Sequence, residues 1–246
     1  MSRSTTRIFE GSRELARAAA QTFVEEAAKS IQEKGSFAVA LAGGSTPKAL
    51  YELLATEHRD TIDWKKVHAF FGDERTVPPD HEGSNYRMAQ HALLSRVPVG
   101  SVHRMRGELE PREAATLYEE ELESFFGGAP RFDLVLLGIG EDGHTASLFP
   151  GTPALDVADR WTVENSVDKL NSVRLTLTVP VLNAAKKILF LVAGEDKARA
   201  LKEILGGDAD PYKYPAKFIR PKGGMVWMVD RAAAQLLDQS LRENVC

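Results

Sequence analysis

Short apolar runs that empty into glycine or charge alternate along this chain with amphipathic stretches, and that alternation restricts it to one class of fold. Residues 37–42 (FAVALA), 67–71 (VHAFF), 132–137 (FDLVLL) and 187–192 (KILFLV) have the apolar density of strands buried on both faces. Residues 12–33 place Leu15, Ala19, Phe23, Ala27 and Ile31 at steps of four, one stripe of an amphipathic helix. Further helices are expected from residue 45 to about 56, near 85–94, and over 111–126, 197–205 and 232–241. Shorter strand signals stand at 101–105, 161–164, 174–179 and 226–229, and the RLTLTV alternation at 174–179 reads as a strand with one face in water. This order predicts an α/β fold, a three-layer α/β/α, Rossmann-like, open and mostly parallel sheet with helices on both faces. One domain over residues 1–246 is expected, with small excursions near 76–110 and 151–180.

Composition removes several function classes. The net charge is −4 and no run of Lys and Arg is interleaved with aromatics, so no nucleic-acid partner is expected. No stretch approaches ~18 apolar residues, so no membrane span is expected. The only cysteine is Cys246, which argues against disulfides, thiolate catalysis and cysteine-based zinc sites. No HExxH-like or other compact ligand pattern points to a metal either. The first 30 residues are charged throughout and lack the apolar core of a signal peptide, which makes the cytoplasm the expected location. Nothing like a long exposed apolar stripe demands assembly, and a monomer or weak homodimer is the expectation.

Three strand exits carry the chemistry. Right-handed crossovers put them on one rim, where open α/β sheets bind ligands. The first exit delivers Gly43, Gly44, Ser45, Thr46 and Pro47. Thr46 is a candidate N-cap, Pro47 suits a first helical turn, and free N–H groups at the positive end of a helix dipole suit a phosphate. The spacing matches neither GxGxxG nor GxxxxGK[ST], so nucleotides are not indicated. The second exit delivers Gly72, Asp73, Glu74 and Arg75. Arg75 has the fork for a phosphate, and Asp73 can accept from sugar hydroxyls. In the third, Gly138, Gly140 and Gly143 frame Glu141, Asp142 and His144. A helix opening at Thr145 would hold His144 neutral at its positive end, as a general base requires. Either Asp142 or Glu141 can fix the imidazole tautomer, and backbone N–H groups among these glycines are candidate donors to an oxyanion. No G-x-S-x-G elbow occurs, which sets aside a serine-based α/β-hydrolase.

With these loops in view, the chain resembles the 6-phosphogluconolactonase family within the glucosamine-6-phosphate isomerase/deaminase-like superfamily. The matching segments are LAGGSTPKALYELL (41–54), FFGDERTVPPDHEGSNYRMA (70–89) and LLGIGEDGHTASLFPGTPAL (136–155). Residues 169–198 and the closing strand and helix after Gly224 match less strongly, and together the segments touch nearly the whole length. The resemblance implies hydrolysis of 6-phospho-D-glucono-1,5-lactone in the oxidative pentose phosphate pathway, with a phosphosugar lactone as the small-molecule partner and neither a metal nor an organic cofactor required by the chemistry. It implies that His144 activates water, that Gly43 to Thr46 and Arg75 line the phosphosugar site, and that Asp73 lies near the sugar. A family lysine followed five residues later by arginine is matched by Lys169 and Arg174, although Leu170 and Asn171 replace the usual prolines between them. The deaminase branch would show DGHIAFNEP-like residues, whereas Ser147, Leu148, Phe149 and Pro150 follow the lactonase pattern. Two alternatives stand beside this reading, a phosphosugar isomerase or deaminase of the same superfamily and a non-catalytic phosphosugar sensor. The sensor would need a DNA-binding module, and the first 36 residues show one amphipathic helix rather than a helix-turn-helix.

Overall fold

The computed structural model describes residues 4–238, so Cys246 and the end of the expected helix at 232–241 lie outside the described residues. The strands are β1 (Ser4–Phe9), β2 (Phe37–Leu41), β3 (Val67–Phe71), β4 (Asp73–Arg75), β5 (Ser101–Val102), β6 (Leu134–Leu137), β7 (Thr162–Val167), β8 (Ser172–Leu177), β9 (Lys187–Val192) and β10 (Gly224–Asp230). The helices are α1 (Ser12–Lys34), α2 (Ser45–Thr56), α3 (Asn85–Ala89), α4 (Pro111–Phe126), α5 (Val179–Asn183), α6 (Ala198–Leu205) and α7 (Arg231–Ala234). A π-helical turn, Gln90–Leu94, continues α3.

Seven strands form a wholly parallel sheet in the order β1-β10-β9-β6-β2-β3-β5. Alternate residues of each strand feed two cores. Val39, Leu41, Leu134 and Leu136 meet Leu15, Phe23, Leu50 and Leu54 of α1 and α2 on one face. Ala38, Ala40, Val135 and Leu137 meet Ala115, Tyr118 and Leu122 of α4 on the other. Burial on both faces explains why these strands read as continuous apolar runs instead of alternating ones. The α1 stripe behaves as its spacing dictates, with Leu15, Ala19, Phe23 and Ala27 all buried.

Several boundaries differ from expectation. β1 precedes α1 and was not anticipated, because an edge strand with an exposed start has no dense apolar run. The segment 101–105 is strand only at Ser101–Val102, the strand expected at 161–164 is shifted to Thr162–Val167, and of the helix expected at 232–241 only α7 forms, since residues 235–238 leave the helix in a turn. Residues 73–75 are not a loop but β4, part of a second, antiparallel sheet in the order β4-β8-β7. The strand expected at 174–179 ends at Leu177, and Val179 opens α5. It does not keep a wet face: Leu175, Thr176 and Leu177 are all buried, because this small sheet covers one face of the α/β core.

Two buried tyrosines pin the rim where strands exit. Tyr51 Oη accepts from Ala42 N and donates to Ala42 O, both at 2.9 Å, just past β2. Tyr118 Oη accepts from Phe71 N at 2.9 Å and donates to Phe71 O at 3.1 Å, at the end of β3. Burial raises both phenol pKa values, so both stay protonated and keep these bonds. Each hydroxyl satisfies a backbone pair that leaves the ladder there, and fixes where the next loop starts.

Candidate active site

The strand order runs from β2 to β3 and β5 in one direction and from β6 to β9 and β10 in the other. The switch lies between β2 and β6, and a crevice opens at the carboxyl ends of strands there. A cavity of about 780 Å³ occupies that position, lined by the exits of β2, β3 and β6. It is also lined by Asp196 and Lys197 after β9, a fourth exit absent from the sequence reading. The same signal, an apolar strand followed by Gly194 and three charged residues, would have found it.

At the first exit, Gly44 is the N-cap, with φ +102, and α2 begins at Ser45. Thr46 is therefore inside the first turn and is not the cap. The backbone at Gly44 demands a residue without a Cβ, which is why glycine and not a hydroxyl residue holds the cap. The opening N–H groups of α2 have no partner within the helix and line the cavity with a positive dipole end.

At the second exit, Asp73 is buried and does not point freely at solvent. Its Oδ2 accepts from Ser147 Oγ at 2.7 Å and its Oδ1 accepts from Asn85 Nδ2 at 3.1 Å. Neighbouring Glu74 turns away and accepts from Arg75 N, Asn85 N, Tyr86 N and Ser84 Oγ, capping the start of α3. Burial raises the Glu74 pKa and those four donors oppose the rise. Ser147 and Asn85 are site residues the sequence reading missed; their hydroxyl and amide become informative only when the fold brings them to one carboxylate.

Register brings the two arginines together. β4 and β8 pair so that Arg75 stands opposite Arg174. Arg75 Nη1 donates to Gly83 O, and Arg174 Nη1 donates to Ser172 Oγ at 2.7 Å. Burial first, and then Arg75, lower the Arg174 pKa, while Asp73 and Glu74 oppose them. Like charges placed opposite each other on neighbouring strands cost stability, and the cost falls when an anion lies between them.

The third exit folds on itself. Gly140 N donates to His144 O and Gly143 N donates to Gly140 O, both at 2.9 Å, so neither amide is free for an oxyanion as expected. Gly143 does not line the cavity; a Cβ on it would lie 2.7 Å from the Tyr214 ring. A Cβ on Gly140 would lie 2.0 Å from His144 Nδ1, so glycine there makes room for the imidazole. No helix opens at Thr145. Residues 145–148 make a tight turn closed by a Thr145–Leu148 bridge, with Ala146 at φ +47.

His144 is nevertheless held neutral, by a different cause. Burial lowers its pKa to about 4; Lys197, Arg174 and Arg75 push the same way and Asp73 pushes back. Asp142 Oδ1 lies 2.6 Å from His144 Nδ1 and also accepts from His144 N at 3.1 Å. A carboxylate only accepts, so Nδ1 carries the proton and Nε2 keeps its lone pair. Phe149 stacks on the imidazole at 4.1 Å, and Lys169 pairs with Asp142 Oδ2 while lying 5.0 Å from the Phe149 ring centre. Lys169 reaches Asp142 from a 3₁₀ turn, Asp168–Leu170, capped by Asn171 at φ +43, a conformation closed to the prolines usual in the family. Glu141 is exposed at the cavity rim and makes no hydrogen bond or ion pair with His144. Among the described residues no group of three or more His, Cys, Asp or Glu is arranged to hold a metal ion, and no helix is long and apolar enough to cross a membrane.

Residues 10–228 match the family model for glucosamine-6-phosphate isomerases/6-phosphogluconolactonase. The chain is 48% identical over 216 residues to the 6-phosphogluconolactonase of Synechocystis sp., covering 85% of this chain and 88% of that one. The solved 6-phosphogluconolactonase of Trypanosoma brucei superposes with a TM-score of 0.86 at 30% identity, covering 97% of this chain and all of that one. The enzyme of Trypanosoma cruzi gives 0.85 at 31% identity, covering 96% and 97%. A cavity at the switch point, reached by the same strand exits that carry the motifs, and a match that spans the sheet from α1 to β10 lead to one assignment: this chain belongs to the glucosamine-6-phosphate isomerase/6-phosphogluconolactonase family.

Proposed function

We propose that this chain is a 6-phosphogluconolactonase, hydrolysing 6-phospho-D-glucono-1,5-lactone to 6-phosphogluconate with His144 as general base. One observation carries the mechanism: His144 Nδ1 is tied to Asp142 at 2.6 Å inside a cavity that also holds Arg75, Arg174 and Lys197. A phosphate close to a dianion at neutral pH satisfies those cations and the first-turn amides of α2. The lactone ring then lies toward His144. His144 Nε2 takes a proton from water as the oxygen bonds to the lactone carbonyl carbon. The tetrahedral intermediate collapses by breaking the bond to the ring oxygen, which receives the proton back from Nε2. Asp142 stabilises the transient imidazolium, and Lys169 keeps Asp142 in place.

The site couples binding to basicity. Lys197, Arg174 and Arg75 lower the His144 pKa in the free protein. A bound phosphate offsets those charges, so His144 becomes a stronger base when substrate is present. Proton release on adding 6-phosphogluconolactone tests the reading directly, wild type against His144→Ala. General base catalysis is worth about 10²–10⁴-fold, and a loss of that size in kcat with product binding retained is the expected result. Turnover unchanged in the variant would remove His144 from the mechanism, while activity absent from the wild type would remove the substrate assignment.

A further inference from the structure

A second relay of titratable groups lies at the far edge of the large sheet, outside the cavity described above. Ser101 Oγ on the terminal strand β5 lies 2.6 Å from His103 Nε2, and His103 Nδ1 lies 2.8 Å from Glu121 Oε1 on α4. The carboxylate only accepts, so Nδ1 holds the proton and Nε2 accepts from the serine hydroxyl. His68 Nδ1 lies 2.7 Å from the same Oγ and donates to it once the hydroxyl proton points at His103. Neither ring is loose. His103 stacks on Phe70 at 4.2 Å and 6°, and Phe125 packs against His68 at 4.8 Å and His103 at 5.3 Å.

The surroundings suit a reaction. His103 N donates to Ala69 O at 2.8 Å, and strand alternation then turns the Val102 N–H toward the open edge, next to Ser101. Val102 and Glu121, neighbours of Ser101 and His103 in the strand and in the relay, are in the wall of a cavity of about 360 Å³ that is also lined by Tyr86, Leu109 and the charged Arg104, Arg106 and Glu108; Ser101 and His103 are partly exposed and lie outside that wall.

We propose that Ser101, His103 and Glu121 form a second nucleophilic site that takes acyl groups from small esters, separate from lactone hydrolysis. Ser101 Oγ bonds to the ester carbonyl carbon as its proton moves to His103 Nε2. The carbonyl electron pair moves to oxygen, beside the Val102 N–H. On collapse the bond to the alcohol oxygen breaks, and that oxygen takes the proton from His103. Water, deprotonated by the same imidazole, then releases the acid and restores Ser101.

A fluorophosphonate probe on the full chain tests this, because attack by Ser101 forms a P–O bond and expels fluoride, with the proton leaving through His103. Trypsin releases residues 97–104, VPVGSVHR, in which Ser101 is the only serine. The expected result is an adduct on that peptide, forming about 10²-fold more slowly in His103→Asn and about tenfold more slowly in Glu121→Gln. Lactone hydrolysis stays at the wild-type rate in both variants, which reports that they fold and that the two sites are independent. No adduct on this peptide in the wild type, or equal labelling in whichever variant retains lactone hydrolysis, overturns the proposal and leaves the relay as a hydrogen-bonded edge.

Discussion

The two ends of strands β2 and β6 are built from the same backbone and arrange their charges differently. At the amino ends, Asp133 is 3% exposed and held between opposite charges: Ala38 N donates to it at 2.8 Å, and Lys34 and Lys186 pair with it at 2.9 and 3.0 Å. Burial alone would raise the Asp133 pKa; the Ala38 N–H and the two lysines outweigh it and hold the carboxyl below its usual range. At the carboxyl ends Arg75 stands opposite Arg174, with Lys197 lining the same cavity. Their acceptors include a carbonyl (Gly83), a hydroxyl (Ser172) and a carboxylate (Asp196), while buried Asp73 is committed to Ser147 and Asn85. The comparison teaches how to tell a structural charge from a functional one on one sheet. Where charges close on each other, the end locks the fold; where cations crowd one another around a cavity, the end waits for an anion.

Breaking the working end should cost most. Gly140→Ala forces a Cβ against His144 Nδ1, and a displacement of about 1 Å at a reacting group is worth ~10²-fold, so kcat should fall by at least that factor with KM little changed. Steady-state kinetics checks it, and a fall in KM affinity instead of kcat would mean that the loop adapts. Breaking the locked end should do the reverse. Asp133→Asn removes charge-assisted bonds worth about 1.5–3 kcal/mol, so chemical denaturation should show that loss while kcat per folded molecule stays constant.

A smaller effect sharpens the charge argument. Arg75→Ala should raise KM for the phosphorylated lactone by about tenfold or more, leave kcat within a few-fold, and raise the Arg174 pKa by removing its repulsive neighbour. An equal loss on a lactone without phosphate would move Arg75 out of phosphate recognition. The least, and the most diagnostic, is in pH. His144 is active when neutral, so kcat/KM should fall with decreasing pH around about 4, and the corresponding limb in kcat should lie at higher pH because bound phosphate offsets Lys197, Arg174 and Arg75. Because the folded pKa is below the unfolded value of ~6.5, stability from this group is complete above that pH and declines as pH falls toward the folded value. His144→Ala should flatten that decline in a denaturation series from neutral to acid pH.

Much of this is legible in the sequence alone. The buried strands at 67–71 and 187–192 and the helix over 111–126 were readable to the residue, because a strand covered on both faces needs an unbroken apolar run and a capped helix carries its own start and stop. His144, Asp73, Arg75 and the Gly43 to Thr46 loop were readable as cavity residues because strand exits in such a sheet share one rim. Harder cases depended on non-local pairing. The strand β4 is three polar residues with no apolar signal, and only its ladder with β8 makes it a strand.

Local sequence, then, determined the buried parallel strands, the long helices and the chemical types present at each exit, because periodicity and glycine act over a few residues. Tertiary structure decided the rest. It chose Asp142 over Glu141 as the partner of His144, since one chain turn at Gly143 orients one carboxylate inward and leaves the other in water. It set Arg75 against Arg174 from almost 100 residues away, and it made burial instead of a helix dipole the force that keeps His144 neutral. Register and desolvation are properties of packed surfaces, and a sequence acquires them only when the sheet has closed.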